Sequence, residues 1–577
     1  MSVMLQTEEL TQDRRPKAPA DIQVRHFRQI LLWPLRLMPL VRSSADTRPR
    51  RTPWQILREL GEDSPWREVV DEYTGDSARF HERHYNEFVS FLPYVQRFLY
   101  GDGRGRRNAG GRDADAPMRV FRREDVAQVR VRARPGDAPF TLDVVHVDLY
   151  FFFDVDVVLL NVELGANDLS LAQAQEQLYR FGRGYPAGWD AQGLALHSMA
   201  GVEWLDAAGA VLASSDAQQR ELFMAHVAEH RAPRTAAHWA FLLQPLVADH
   251  SDDPGELRYR QIEYYRMPVM GYLALDDPRA LTRNDFIRLG LVTGAGGSDN
   301  GGLSDAIENR DLPYAADHVA DFEQRYCYDR FWANAGAAPN TRYLCSGHAL
   351  IVVGDARSEF YGCRDRGVLA QFRHQHFMLF MINHFQKAAL LMSSDRLVEA
   401  LKNLDVGDAA SVRRFKRSIR ASFEGFLRFT HRYWFHEVSE QAQVRALSHL
   451  CATHLGLDPL YREVKERIAD MNSYLDADSL RRQANTVVRL TVVTILGLIG
   501  TVTTGFLGMN LLAEADAPMA RKLWIFAVVF VLTTVLTFYT MGKSKGLSDF
   551  LDALSDERMS LWQKLRVLGG VWRRKSE

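Results

Sequence analysis

Cysteine is scarce: Cys327, Cys345, Cys363 and Cys451 are the four in 577 residues. That is too few for a disulfide framework in a chain of this size and fits a reducing compartment. Surplus charge is missing too. Acidic and basic residues nearly cancel to a net charge of −1, which argues against a dedicated nucleic-acid binder. The first residues, MSVMLQTEELTQDRRPKAPADIQ, hold no apolar core, so no signal peptide is expected there. No phosphate loop is evident: GAGGSDNGG (Gly294–Gly302) has no GK[ST] ending and no GxGxxG between strand and helix, and reads as a flexible loop. No nucleophile and base stand at a convincing spacing, so the expectation is a non-enzyme with no cofactor bound for catalysis.

Metal ligands are thinly spread as well. Cys345 and His348 form a CxxH, with Cys363, His374 and His376 further on. Zinc needs ligands that converge on one point, and this spacing does not demand it. The histidines of FRHQHFMLFMINHF (Phe372–Phe385), His384 included, are expected to pack or hydrogen-bond between helices.

Apolar length, by contrast, is present. Val487–Asn510 (VVRLTVVTILGLIGTVTTGFLGMN) carries one charge, Arg489, and Leu523–Met541 carries none. At about 1.5 Å of rise per residue, each run matches a hydrocarbon core of about 30 Å. With the loop Leu511–Lys522 between them they predict a membrane hairpin. Arg481 and Arg482 precede it, Arg489 stands at its start, and Lys543, Lys545, Arg573, Arg574 and Lys575 follow it. The positive-inside rule then places both termini in the cytoplasm.

The rest of the chain divides by pattern. Residues 1–117 read as a tail, helices and a Gly/Arg-rich loop (Gly101–Pro117) expected to be mobile. Within them His26–Val41, broken by Pro34, Pro39 and two arginines, is too short to span and is expected to pack on a core or surface. Residues 118–364 mix strands and helices and predict a cytosolic α/β domain. Residues 365–486 predict long stalk helices, the last opening at Pro459 and free of glycine and proline from Leu460 to Leu496. The hairpin takes 487–541, and 542–577 form a basic cytosolic tail.

One face of the first run holds Val487, Thr491, Thr494, Leu498, Thr501, Gly505 and Gly508. It is richer in small and hydroxylic residues than its neighbour and suits a narrow aqueous path. Threonines that bond their own i−4 carbonyl, and small residues that mark helix packing, are the competing reading. A single hairpin encloses nothing, so a pore requires several copies.

Gly508-Met509-Asn510 closes that run. Together with the two C-terminal apolar runs, the short loop, the long helix and the large preceding domain, it resembles the CorA family of divalent-cation transporters. The resemblance covers about residues 365–545 and is loose before that. Leu507 stands where the family has an aromatic before GMN, with Phe506 one place earlier. It implies a homopentamer, with Gly508, Met509 and Asn510 as selectivity filter and Thr491, Thr494, Leu498, Thr501 and Gly505 lining the path. It also implies Mg2+ as cargo, with Co2+ or Ni2+ as alternatives, in a bacterial-type inner membrane. Mg2+ or another divalent ion would be both transported and regulatory. Asp470, Asp476 and Asp478 are available carboxylates for regulation, though no motif assigns them that task. Glu514 and Asp516 would enrich cations at the mouth, a plain loop role being equally open. Magnesium sheds water reluctantly, and a ring of neutral Asn510 carboxamides accepts hydrogen bonds from its waters without trapping it. The expected partners are therefore divalent metal ions, a lipid bilayer and copies of the same chain. A proton-coupled zinc transporter, or an anchored sensor or enzyme whose hairpin is a tether, are the alternatives.

Overall fold

The computed structural model describes residues 22–39, 52–69, 82–101, 118–152, 154–263, 265–295, 312–402, 404–405, 408–508 and 518–542. In the two C-terminal helices, side chains at 475–482, 485, 495, 496, 498, 499, 502, 503, 506, 507, 526, 529, 530, 533, 534, 536–538 and 540–542 are outside that description. The expected loop at 102–117, most of the glycine-rich stretch after residue 295, Met509, Asn510, Glu514, Asp516 and the tail from 543 lie outside the described residues.

Residues Met1–Glu466 and Arg467–Glu577 form two compact units. Among the described residues the first is built on a mixed sheet of 14 strands. In chain order these are β1 (Gln23–Leu37), β2 (Trp66–Glu68), β3 (Met118–Arg123), β4 (Gln128–Arg132), β5 (Phe140–Phe152), β6 (Val155–Ser170) and β7 (Gly201–Leu205). They continue with β8 (Val211–Ser214), β9 (Val247–Ala248), β10 (Arg258–Gln261), β11 (Val269–Leu275), β12 (Cys327–Tyr328), β13 (Arg342–Cys345) and β14 (Ala349–Asp355). The main path runs β12-β13-β14-β11-β1-β6-β5-β4-β7-β8.

The centre of that path is β1, the segment whose prolines and arginines disguise it. It pairs antiparallel with β6 along its length, with β11 up to Leu31 and with β10 from Leu35. Proline cannot donate to a ladder. The Leu32 N–H points to the β11 side, reaching the Pro268 carbonyl at 3.0 Å. Pro34, two residues on, therefore turns its missing donor into the gap between β11 and β10, where nothing is lost.

Side chains alternate across the sheet. One face presents Phe27, Leu31 and Trp33 of β1 with Val162 and Leu164 of β6, all buried. The helices α1 (Leu171–Arg180), α2 (Ala237–Leu243) and α3 (Arg283–Leu291) contribute Leu178, Trp239 and Ile287 to the same core. Trp239 is its pivot, edge-on to Trp33, Trp204 and Phe181 at 6.3, 5.9 and 5.3 Å between ring centres. Ser170 and Gln173 form a capping box that starts α1 directly off the end of β6.

The opposite face, with Arg28, Ile30, Asn161, Glu163 and Tyr272, takes a long helix, α4 (Phe377–Lys402). Phe385 stacks on Phe152 at 3.9 Å, and Tyr150 meets Phe377 at 5.9 Å. Its far end is tied down by charge: Arg36 bonds Asp395 and Glu399, and Arg260 reaches Glu399 at 3.0 Å. Two more helices follow, α5 (Ala409–Tyr433) and α6 (Ala442–Leu455).

The second unit holds most of α7 (Leu457–Gly508) and all of α8 (Met519–Gly542). Both apolar runs of the sequence are helical, the first as far as Gly508. Yet among the described residues no helix is long and apolar enough to cross a membrane. A span needs about twenty predominantly apolar residues in succession, and the described part of α7 is punctuated by Arg489 and by exposed threonines at 491, 494, 501 and 504. Arg521 and Lys522 open α8. The expectation of a CorA-like membrane fold with a transmembrane hairpin at 487–541 is corrected on this ground, as is the multi-pass inner-membrane location with both termini in the cytoplasm. The weight of the fold lies in the mixed sheet, which also draws in residues 23–37 and 66–68 from outside the expected 118–364.

Candidate functional site

The helix that carries the sequence's candidate residues starts from a glycine. Gly456 adopts φ 66°, a left-handed conformation that closes α6 and lets α7 begin one residue later. Leu457 and Val464 are buried, and Tyr461 stacks on Trp434 at 4.4 Å with planes 11° apart. Beyond this anchored start the described side chains become mostly exposed, Val487 at 62% and Leu490 at 69%.

On that exposed stretch the threonines behave alike. Thr491 donates its hydroxyl to the Val487 carbonyl at 2.9 Å, Thr494 to Leu490 at 2.8 Å and Thr501 to Gly497 at 2.8 Å. Thr504 does the same with Gly500 at 2.9 Å. This is the back-bonding that a threonine in a helix adopts when no better acceptor is near. It has a chemical consequence. Each hydroxyl proton is committed to the backbone, so what faces outward is the oxygen lone pairs, an acceptor surface. Gly505 and Gly508 are exposed, with nothing within 4 Å of where a β-carbon would stand.

Thr491, Thr494, Thr501, Gly505 and Gly508 thus occupy one exposed face of a single helix. The Leu498 side chain, and Met509, Asn510, Glu514 and Asp516, are outside the described residues. Asp470 is exposed on α7, and the side chains of Asp476 and Asp478 are outside the description. Among the described residues no group of three or more His, Cys, Asp or Glu side chains is placed to hold a metal ion.

The cysteines and histidines of the CxxH region separate instead of converging. Cys345 and His348 flank Gly347, whose φ of 78° and closeness to α6 leave no room for a side chain: a β-carbon would stand 2.9 Å from Cβ of His454. The Gly347 carbonyl accepts from His384 Nε2 at 3.1 Å and from the Cys451 thiol at 3.8 Å. Burial pushes His384 and His376 down to about 3, so both rings are neutral near pH 7. His374 sits 3.1 Å from Glu87, and His376 accepts from Gln443 at 3.2 Å. Cys363 stands elsewhere, its thiol held below the usual range by the backbone N–H groups of Arg366, Asp365 and Gly367. His376, His384 and Cys451 thus take the packing roles open to buried neutral imidazoles and a buried thiol.

No protein-family model, no curated protein and no solved structure matches the chain. The likeness to the CorA family therefore rests on the residues quoted for it.

Proposed function

We propose that the chain acts as a homo-oligomer, a pentamer by its family resemblance, that passes hydrated divalent metal cations, Mg2+ foremost. One observation carries the reading: a long helix presents an acceptor-only face of Thr491, Thr494 and Thr501 with Gly505, and leads at Gly508 directly into Met509-Asn510. A hydrated Mg2+ ion displays water protons, so the surface that suits it offers oxygen acceptors without a fixed charge. Threonine hydroxyls already donating to the backbone meet that condition, and the Asn510 carboxamide extends it. Several copies around one axis would be needed to ring the ion, because a lone helix meets it from one side.

Passage across a bilayer is what the test must show, since among the described residues no helix is long and apolar enough to cross one. The full chain, reconstituted with lipid vesicles, is assayed for Mg2+ flux with Co2+, Ni2+ and Zn2+ run in parallel. Mg2+ movement that Asn510→Ala alters, with the oligomer intact, supports the reading. Movement of zinc alone, driven by a proton gradient, would replace it with a zinc transporter. No movement of any of the metals would remove it.

A further inference from the structure

Three arginines meet on the face of the sheet that α4 covers, and they have more donors than acceptors. Arg28 of β1 stands in register with Gly165 of β6 and Tyr272 of β11. Its side chain lies flat across the glycine: a β-carbon at residue 165 would fall 1.7 Å from Arg28 Nη1 and 2.6 Å from Cζ. Glycine is what lets the arginine lie there.

The next places along the same face are Glu163, opposite Ile30, and His146 of β5, opposite Glu163. A β-bulge between Val144 and His146 resets β5 at this point, as bulges do where a side chain must be re-aimed. From the helical layer comes Arg373. It belongs to Phe372–His376, a π turn set between Val368–Gln371 and α4. Such turns widen a helix by one residue and are frequent at functional sites. Here the turn delivers the Arg373 guanidinium to Glu163, with Nε at 2.5 Å and Nη2 at 3.2 Å from its two oxygens. Arg364, exposed in the loop before Val368, adds a third positive charge near Arg28.

The acceptors present are already in use. Glu163 is gripped by Arg373, and Asp143, across from Gly165, accepts from Gln128 at 3.0 Å. Among the described residues the half-buried Arg28 guanidinium, with its five N–H donors, has no hydrogen-bond acceptor. Burial and the neighbouring Arg373 and Arg364 draw it below the usual arginine range, against the pull of Glu163 and Asp143. His146 repeats the pattern. Its Nε2 faces Arg373 Nη2 at 3.3 Å and must accept there, which puts its proton on Nδ1, and Nδ1 is buried without a partner. A half-buried guanidinium without an acceptor, flanked by two further positive charges, calls for an anion to complete it.

We propose that Arg28, Arg373 and Arg364, with the His146 ring beside them, form a binding site for a phosphate-class oxyanion. The planar guanidinium fork matches two oxygens of a phosphate at once, and Gly165 supplies the floor that lets Arg28 lie open to it. Free phosphate and the phosphate of a nucleotide share this chemistry.

The test uses the full chain. Inorganic phosphate, ATP and acetate, at matched ionic strength, are titrated by calorimetry. Saturable binding of phosphate or ATP, with acetate at least about tenfold weaker, is expected; tighter ATP than phosphate would identify the nucleotide as the source. Arg28→Gln should weaken the phosphate ligand at least about tenfold, and Arg28→Lys, which keeps the charge and loses the fork, should fall between. Arg420→Gln on the exposed face of α5 should leave binding unchanged. Near-UV circular dichroism checks the fold of each variant, and Arg28→Lys carries the test if Arg28→Gln does not fold. Absence of saturable binding, acetate binding as tight as phosphate, or full affinity without the Arg28 fork would each overturn the proposal.

Discussion

The guanidinium of Arg28 rests on Gly165, so close that the glycine has no room for a methyl group without moving it. Gly165→Ala should therefore displace the far end of a flexible side chain and leave the backbone in place. The expected cost in stability is small, about 1 kcal/mol, at the low end of overpacking effects. Chemical denaturation measures it. Phosphate affinity should fall with the displaced fork even though the fold persists.

Trp239 holds the other core. It is fully buried and meets Trp33, Trp204 and Phe181 edge-on, and its indole N–H donates to the Arg183 carbonyl at 2.8 Å. Trp239→Ala should destabilise the first unit by about 3–5 kcal/mol. The denaturant midpoint of intrinsic fluorescence from the remaining tryptophans reads the loss. A change under about 1 kcal/mol would mean that this cluster is not the pivot of the sheet's packing.

Acid should weaken the fold through buried histidines. His238, His376 and His384 are each pushed down to about 3 by burial, from an ordinary value of 6.5. Their folded pKa values are depressed, so the unfolded chain takes up protons that the folded chain refuses. Stability is therefore complete above about pH 6.5 and is lost as pH falls from there toward 3. His384→Gln should remove one proton from this linkage, flattening the slope in that window by about 1.4 kcal/mol per pH unit. Denaturation curves at a series of pH values test it, and an unchanged slope would mean that His384 charges freely in the fold.

The threonine face gives a cleaner separation of roles. Thr491, Thr494 and Thr501 all spend their protons on their own helix. The triple change to valine should leave helicity intact, because the backbone bonds of the helix do not depend on it. Far-UV circular dichroism should be unchanged while divalent-cation flux falls. Unchanged flux would mean that these oxygens do not face the ion.

What could be read from the sequence depended on how local the signal was. The uninterrupted helix through Leu460–Leu496 is legible because the absence of breakers is a local property, and α7 duly runs to Gly508. The two apolar runs are legible as helices for the same reason. Their assignment to a bilayer is not sustained among the described residues, since length and composition in a sequence window do not by themselves fix where a helix sits. Strand β1 was hidden because its periodicity is broken by Pro34 and by the arginines. Only the gap between β11 and β10 explains how that proline is accommodated. The arginine site was hidden for a different reason. Arg28, Gly165 and Arg373 are far apart in the chain and are joined by strand register and by one π turn. No spacing rule connects them.

The most direct measurement of the central claim is Mg2+ flux by the purified full chain in vesicles, taken with its oligomeric state by native mass spectrometry. A ring of five copies is expected, with a flux that changes in selectivity or rate on Asn510→Ala while the ring persists. A monomer or dimer, or a Mg2+ signal indistinguishable from empty vesicles, would contradict it.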